Sequence, residues 1–207
     1  MNKELYDNLQ VLMAYHSNKM EGVDIIFNDV VNLYNKVDVK ECLEVINHFK
    51  SFDFINSNFN NVLDENYIKE IHKILQKDID DNAGNYKKED NFIGGLETCS
   101  PKDVHNEMIE LLDWYNDKEN VDIKDIIEFH YRFERIHPFS DGNGRVGRLI
   151  SLKECLKNNI IPFIILDEKK MFYYNGLKNY KRDKNYLIDT CLDGQDFVIN
   201  LIKKLDK

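Results

Sequence analysis

The sequence predicts an all-α fold carrying one small β-hairpin. Three observations carry that reading. Apolar residues recur at three- and four-residue intervals along most of the chain. Only three prolines and nine glycines interrupt 207 residues. One stretch, 86–98, abandons helical spacing and sets apolar residues beside glycines, including Asn91-Phe92-Ile93-Gly94-Gly95-Leu96, as a short hairpin would.

The helices follow in order. Leu5, Leu9, Leu12, Met13, His16 and Met20 share one face of a first helix. Ile25, Ile26, Val30, Val31 and Tyr34 predict a second, and Val39, Leu43, Ile46 and Phe49 a third. Tyr67, Ile68, Ile71, Ile74 and Leu75 give a fourth, with Asp64 as its N-cap. Ser100-Pro101, a cap followed by proline, opens a helix through Val104, Met108, Leu111, Leu112 and Tyr115. Asp122 starts another through Ile126, Phe129, His130, Phe133 and Ile136, stopped by Pro138. A helix over 146–156 and two more, near 169–181 and 185–204, complete the chain. No repeat and no low-complexity linker divides it, so the whole of 1–207 reads as one domain.

Composition narrows the function. The 43% hydrophobic content is enough for a packed core. A net charge of −9 argues against a nucleic-acid binder, which needs a basic footprint. Cys42, Cys99, Cys155 and Cys191 lie far apart, so neither a zinc site nor a disulfide framework is expected. No stretch has the length of a signal peptide's apolar core or of a membrane span. The expectation is a cytoplasmic protein with no membrane partner. The exposed helix faces leave a homo-oligomer open.

Residues 137–148, His-Pro-Phe-Ser-Asp-Gly-Asn-Gly-Arg-Val-Gly-Arg, concentrate the chemistry. An imidazole takes a proton near neutral pH. A carboxylate holds Mg²⁺. Glycines let backbone amides approach an anion, and a helix starting there adds its positive end. Arginines grip phosphate with a planar fork. Gly142, Gly144 and Gly147 also fit the dinucleotide-binding G-x-G-x-x-G, but that fingerprint follows a strand, and 126–136 has helical spacing.

The string resembles the core motif of the Fic family of AMP-transferases: His-Pro-Phe, any residue, Asp or Glu, Gly-Asn-Gly-Arg, any two residues, Arg. Every fixed position is present, and residues 129–136 look like the family's preceding helix. The resemblance implies ATP as donor and a Tyr, Thr or Ser hydroxyl of a protein as acceptor, self-modification included. His137 would be the base, and Asp141 would hold Mg²⁺ or Mn²⁺. Gly142, Asn143, Gly144, Arg145 and Arg148 would hold the nucleotide, with a side-chain hydrogen bond from Asn143. Phe139 would anchor the turn in the core. His16, His48, His72, His105 and His130 read as packed structural histidines.

Ser17-Asn18-Lys19-Met20-Glu21-Gly22 resembles the family's inhibitory helix motif: Ser or Thr, three residues, Glu, then Gly or Asn. Ser17 and Glu21 share a helix face, and Gly22 can end the helix left-handed. The resemblance implies an inhibitory helix over about 3–22, with Glu21 occupying Arg148. Residues 84–87 and Phe92, Ile93, Gly94 and Gly95 look like the family's flap, which aligns the target by strand addition. Lys87 stands where the family carries arginine. Tyr173, Tyr174 and Asn175 resemble its segment near the nucleobase. Removal of AMP, a different nucleotide donor, and nucleotide sensing without turnover remain alternatives.

Overall fold

In the computed structural model, residues 3–37, 42–93 and 96–206 are described. Among them are nine α-helices: α1 (Lys3–Met20), α2 (Phe27–Tyr34), α3 (Leu43–Asn58), α4 (Glu65–Leu75), α5 (Val104–Asn116), α6 (Ile123–Ile136), α7 (Asn143–Lys157), α8 (Lys170–Asn179) and α9 (Asn185–Leu205). Two strands, β1 (Phe92–Ile93) and β2 (Leu96–Glu97), pair antiparallel with Phe92 opposite Glu97 and Ile93 opposite Leu96. Of the expected hairpin only this two-rung ladder is seen, and Gly94-Gly95 lie outside the described residues.

Helix α7 forms the axis of the fold. Its residues from Asn143 to Cys155 are all buried, so it is covered on every side, as a central helix must be. Helices α1, α3, α4 and α6 pack around it. Val146, Leu149 and Ile150 meet Ile68 and Ile71 of α4 and Phe129 and Phe133 of α6 in the largest hydrophobic cluster. A second cluster joins Met20 of α1 to Tyr173 and Leu177 of α8 and Leu187 and Cys191 of α9. Near its C-terminal end two polar residues of α7 are paired: Lys153 Nζ lies 2.5 Å from Glu154 Oε1, and Tyr115 Oη of α5 donates to Glu154 Oε2 at 3.0 Å.

Local chemistry sets the helix ends. Asp64 caps α4 by accepting the Tyr67 amide at 2.7 Å. Asp122 and Asp125 cap α6 reciprocally. Three elements depart from the sequence reading, and one expected helix residue is not covered. Ile26 precedes α2 and is exposed, because Val30 alone of that helix is buried. Val39 lies outside the described residues. Pro101 sits in a turn closed by the Asp103 amide on the Ser100 carbonyl, 2.9 Å, and α5 starts only at Val104. Helix α7 starts at Asn143, three residues before the expected helix, because Gly142 (φ 75°) turns the chain directly into it. No helix among the described residues is long and apolar enough to cross a membrane.

Candidate active site

The loop between α6 and α7 is built from its own residues. His137 ends α6 in the left-handed conformation (φ 52°), and its amide donates to the Phe133 carbonyl at 2.9 Å. Phe139 is fully buried and stacks on the His72 ring, centroids 3.8 Å apart. Asn143 then closes the turn from inside: its Oδ1 accepts the Phe139 amide and its Nδ2 donates to the Phe139 carbonyl, both at 2.8 Å. The side chain expected to reach a nucleotide is therefore committed to the backbone. A side-chain cap is absent from the N-terminus of α7, so its first amides are left for an outside acceptor.

The loop floors a cavity of about 650 Å³. His137, Asp141, Gly144 and Arg148 line it, together with Glu21 from the end of α1, Asn91 and Phe92 from the strand region, and Tyr173, Tyr174 and Asn175 from α8. His137 Nδ1 lies 3.3 Å from the Glu134 backbone carbonyl. A nitrogen facing a carbonyl carries the proton, which leaves the lone pair on Nε2. Burial lowers the imidazole pKa to about 4, opposed by the Glu134 carbonyl and reinforced by the Lys87 charge. His137 is thus a neutral base at cellular pH.

Arg148 is buried and surrounded by the last turn of α1. Its Nε donates to Ser17 Oγ at 2.9 Å, and its Nη2 to the Ser17 carbonyl at 3.1 Å and to Glu21 Oε1 at 2.6 Å. Gly22 (φ 85°) stops α1 there: its amide bonds the Lys19 carbonyl and the Val23 amide bonds the Asn18 carbonyl, a Schellman closure that fixes where Glu21 points. The Glu21 carboxylate covers Gly144 so closely that a Cβ there would collide with Oε1. Arg145 takes a different course. It is buried, and its Nη2 meets Asp141 Oδ2 at 3.1 Å while Nε and Nη1 have no hydrogen-bond partner among the described residues.

Sequence reasoning passed over three supporting side chains. His72 Nδ1 accepts the Gly84 amide at 2.9 Å, so Nε2 carries the proton and donates to the Asp141 carbonyl at 3.1 Å. Gln76 Nε2 donates to Asp141 Oδ2 at 3.2 Å. Lys87 is 4% exposed, and its Nζ donates to Asn91 Oδ1 at 2.6 Å and to Thr98 Oγ1 at 2.7 Å. Its amide donates to the Pro138 carbonyl at 2.8 Å, and Asn91 Nδ2 donates to the Phe139 carbonyl at 2.7 Å. The start of the strand pair is therefore pinned to the motif loop, and Thr98 at its end is held through Lys87 and Asn91. An isolated polar residue on an apolar helix face was the only signal for His72, and the Lys-for-Arg departure the only one for Lys87. His130 lies behind the cavity, fully buried, with Nε2 2.8 Å from the Tyr173 hydroxyl.

Residues 62–154 match the Fic/DOC family. The relationship to studied members is distant. The chain is 28% identical over 180 residues to protein adenylyltransferase fic-1 of Caenorhabditis elegans, covering 80% of this chain and 35% of that one. It is 29% identical over 113 residues to a probable protein adenylyltransferase of Aquifex aeolicus, covering 53% and 35%. The chain thus spans about a third of the length of the curated relatives it matches. Among solved structures, a Fic-domain-containing signaling protein of Bacteroides thetaiotaomicron superposes with a TM-score of 0.80 at 23% identity, covering 96% of this chain and 86% of that one. C. elegans Fic-1 superposes at 0.84 and 21% identity, covering 100% and 67%. The fold is the all-α Fic type.

Proposed function

We propose that this chain is a Fic-type, self-inhibited protein AMP-transferase working as one unit over 1–207. It moves AMP from ATP to a Tyr, Thr or Ser hydroxyl of a protein, itself included, and releases pyrophosphate. One observation carries the reading: a neutral imidazole and a carboxylate-occupied arginine line the same cavity at the open N-terminus of α7.

In this mechanism the acceptor hydroxyl gives its proton to His137 Nε2 as its oxygen attacks the α-phosphorus. The bond to the bridging oxygen breaks and pyrophosphate departs. The Gly144 region of α7 and Arg148 take the phosphates, where backbone amides and a guanidinium stabilise developing charge. Asp141 suits a divalent cation of the Mg²⁺ type, which binds by one or two protein carboxylates plus substrate phosphates. Its side chain is 69% exposed at the cavity and steadied by Gln76 and Arg145. No group of three or more carboxylate, His or Cys ligands exists among the described residues, so the nucleotide would complete the coordination. Mg²⁺ or Mn²⁺ bound there would neutralise the leaving pyrophosphate. Phe92 is 60% exposed at the mouth, placed for a target segment to align along the flap.

Glu21 is the brake. Its carboxylate holds the guanidinium that would orient the terminal phosphate, so ATP binds in a pose wrong for in-line attack. A second reading rests on Glu21 and His137 lining one cavity: Glu21 could seat a water that removes AMP from a modified target. Incubating the parent, Glu21→Gly and His137→Ala with ATP and Mg²⁺ or Mn²⁺, followed by intact-mass measurement, tests the assignment. The expected outcome is an AMP adduct on Glu21→Gly and none on His137→Ala. No adduct on any of the three would leave a nucleotide-sensing binder. Loss of AMP from a premodified protein would select the second reading.

A further inference from the structure

Glu134 has no part in the roles described so far. It stands on α6 one turn before His137, its side chain 3% exposed, and it lines the cavity. Its Oε2 is 3.8 Å from His137 Nδ1, too long for a hydrogen bond, and that nitrogen's proton goes to the Glu134 backbone carbonyl instead. Oε1 is buried and has no hydrogen-bond partner among the described residues. The carboxyl lies across Gly147 of α7, where a Cβ would come within 2.7 Å of Oε1. Gly147 occupies a position that the family pattern leaves free, so in this chain glycine makes room for Glu134.

The groups facing this carboxyl come from four helices. Arg148 projects from α7, Glu21 from the end of α1, and Tyr173 and Tyr174 from α8, while His130 and His137 share α6 with it. Burial holds both histidines neutral, with His130 at about 3 and His137 at about 4. Arg148 already serves Glu21 and Ser17. Its Nη1 has no hydrogen-bond partner among the described residues, and no described residue forms an ion pair with the Glu134 carboxyl closer than the 3.8 Å approach of His137. Burial pushes the Glu134 pKa up to about 8, with Arg148 pulling it down and Glu21 adding to the rise.

A carboxylate is the wrong group to line a triphosphate cavity, and a carboxylic acid is a suitable one. Resting on the nucleotide reading above, we infer that Glu134 is a nucleotide-binding residue that acts as a neutral acid, donating a hydrogen bond to a phosphate oxygen. A phosphate that displaces Glu21 takes over its place at Arg148, so Arg148 stays compensated and the acid stays protonated. Any Glu134 that is ionised before binding takes one proton from solvent as the nucleotide enters.

Calorimetry of MgATP binding to the parent and to Glu134→Gln between pH 7 and 9.5, in two buffers of different ionisation heat, tests this. Because the protonated form binds, parent affinity falls as pH rises through about 8, approaching about tenfold per pH unit, with uptake of about one proton above that pH. Glutamine keeps the shape and an uncharged donor, so Glu134→Gln binds with flat affinity and no proton uptake. Flat parent affinity without uptake, or undiminished uptake in Glu134→Gln, overturns this inference alone. Absence of binding in both proteins overturns the nucleotide reading and this inference with it.

Discussion

Arg148 and Glu21 form an ion pair of 2.6 Å that joins α7 to the end of α1 across 127 residues of sequence. The guanidinium side is 4% exposed and the carboxylate side 27%. The contact is therefore firm on the α7 side and reachable from the cavity. An ion pair buried on one side only can be exchanged for another anion without leaving the arginine unmatched.

Replacing Glu21 by glycine frees Arg148 while Ser17 still holds Nε. The expected result is faster AMP transfer. Misplacement of reacting atoms by an ångström costs on the order of a hundredfold, so a gain of about that size is expected. Intact-mass time courses under matched ATP and Mg²⁺ measure it. Equal rates for the parent and Glu21→Gly would remove the brake.

The pH dependence of transfer follows from His137. Its pKa is lowered to about 4 by burial, so the base form is complete well below neutrality. In Glu21→Gly the rate loss from protonating this base sets in only as pH falls toward about 4. An ordinary imidazole would lose half its base form near 6.5. A ring-proton NMR titration of His137 together with the rate profile decides it, and an inflection of both near 6.5 would sink the assignment.

The motif loop, the Asp64 and Asp122 caps and the Gly22 helix stop were legible in sequence because each is a local arrangement of backbone and near neighbours. The supporting residues were not. His72, Gln76, Lys87 and Glu134 act on the loop from helices or turns whose approach is fixed only by packing around α7. Asn143 shows the converse: its type and place were plain, yet its amide is spent on the Phe139 backbone. Arg145 likewise shares a helix with Arg148, and only the structure separates an arginine that faces the cavity from one that holds Asp141.

Histidines whose pKa values burial lowers set the acid limit of the fold. His48 and His130 are lowered to about 3, and His72 and His137 to about 4, chiefly by burial. Each folded pKa lies below the unfolded value of about 6.5, so the unfolded chain binds protons first as pH falls. Their contribution is intact above about 6.5 and is lost progressively as pH falls toward 4. The cost is on the order of 1 kcal/mol per pH unit for each histidine. Thermal melting between pH 7 and 4.5 should show Tm falling steeply, and His48→Phe should flatten the fall. An unchanged slope in that variant would refute the account.

Lys153 and Glu154 test the axis helix separately from the chemistry. Lys153 is fully buried, with Nζ also donating to the Asn61 carbonyl at 2.7 Å. Lys153→Met leaves a buried carboxylate with only the Tyr115 hydroxyl and the Asn158 amide. Removing one partner of a buried pair costs about 3–5 kcal/mol. Urea unfolding should show a loss of that order, with transfer by the remaining folded protein unchanged. A loss under 1 kcal/mol would refute the role given to the pair.

Lys87 offers the sharpest separation of target from nucleotide. Its ammonium ties Asn91 at the start of the strand pair to Thr98 at its end, next to the Ile136 carbonyl at the negative end of α6. Methionine there keeps the buried stem and the backbone bond to Pro138, and removes every side-chain hydrogen bond. The strand pair would lose the ammonium that ties its two ends together, while Arg148 and Gly144 would be untouched. In the Glu21→Gly background, Lys87→Met should therefore raise the KM for a protein target about tenfold or more and leave the ATP KM within about twofold. Charge is not the whole requirement, since arginine can donate to the same oxygens. Lys87→Arg should recover most of the target KM. Steady-state kinetics with each substrate varied in turn measures both constants, and a parallel rise in the two would show that Lys87 supports the loop as a whole and not the flap.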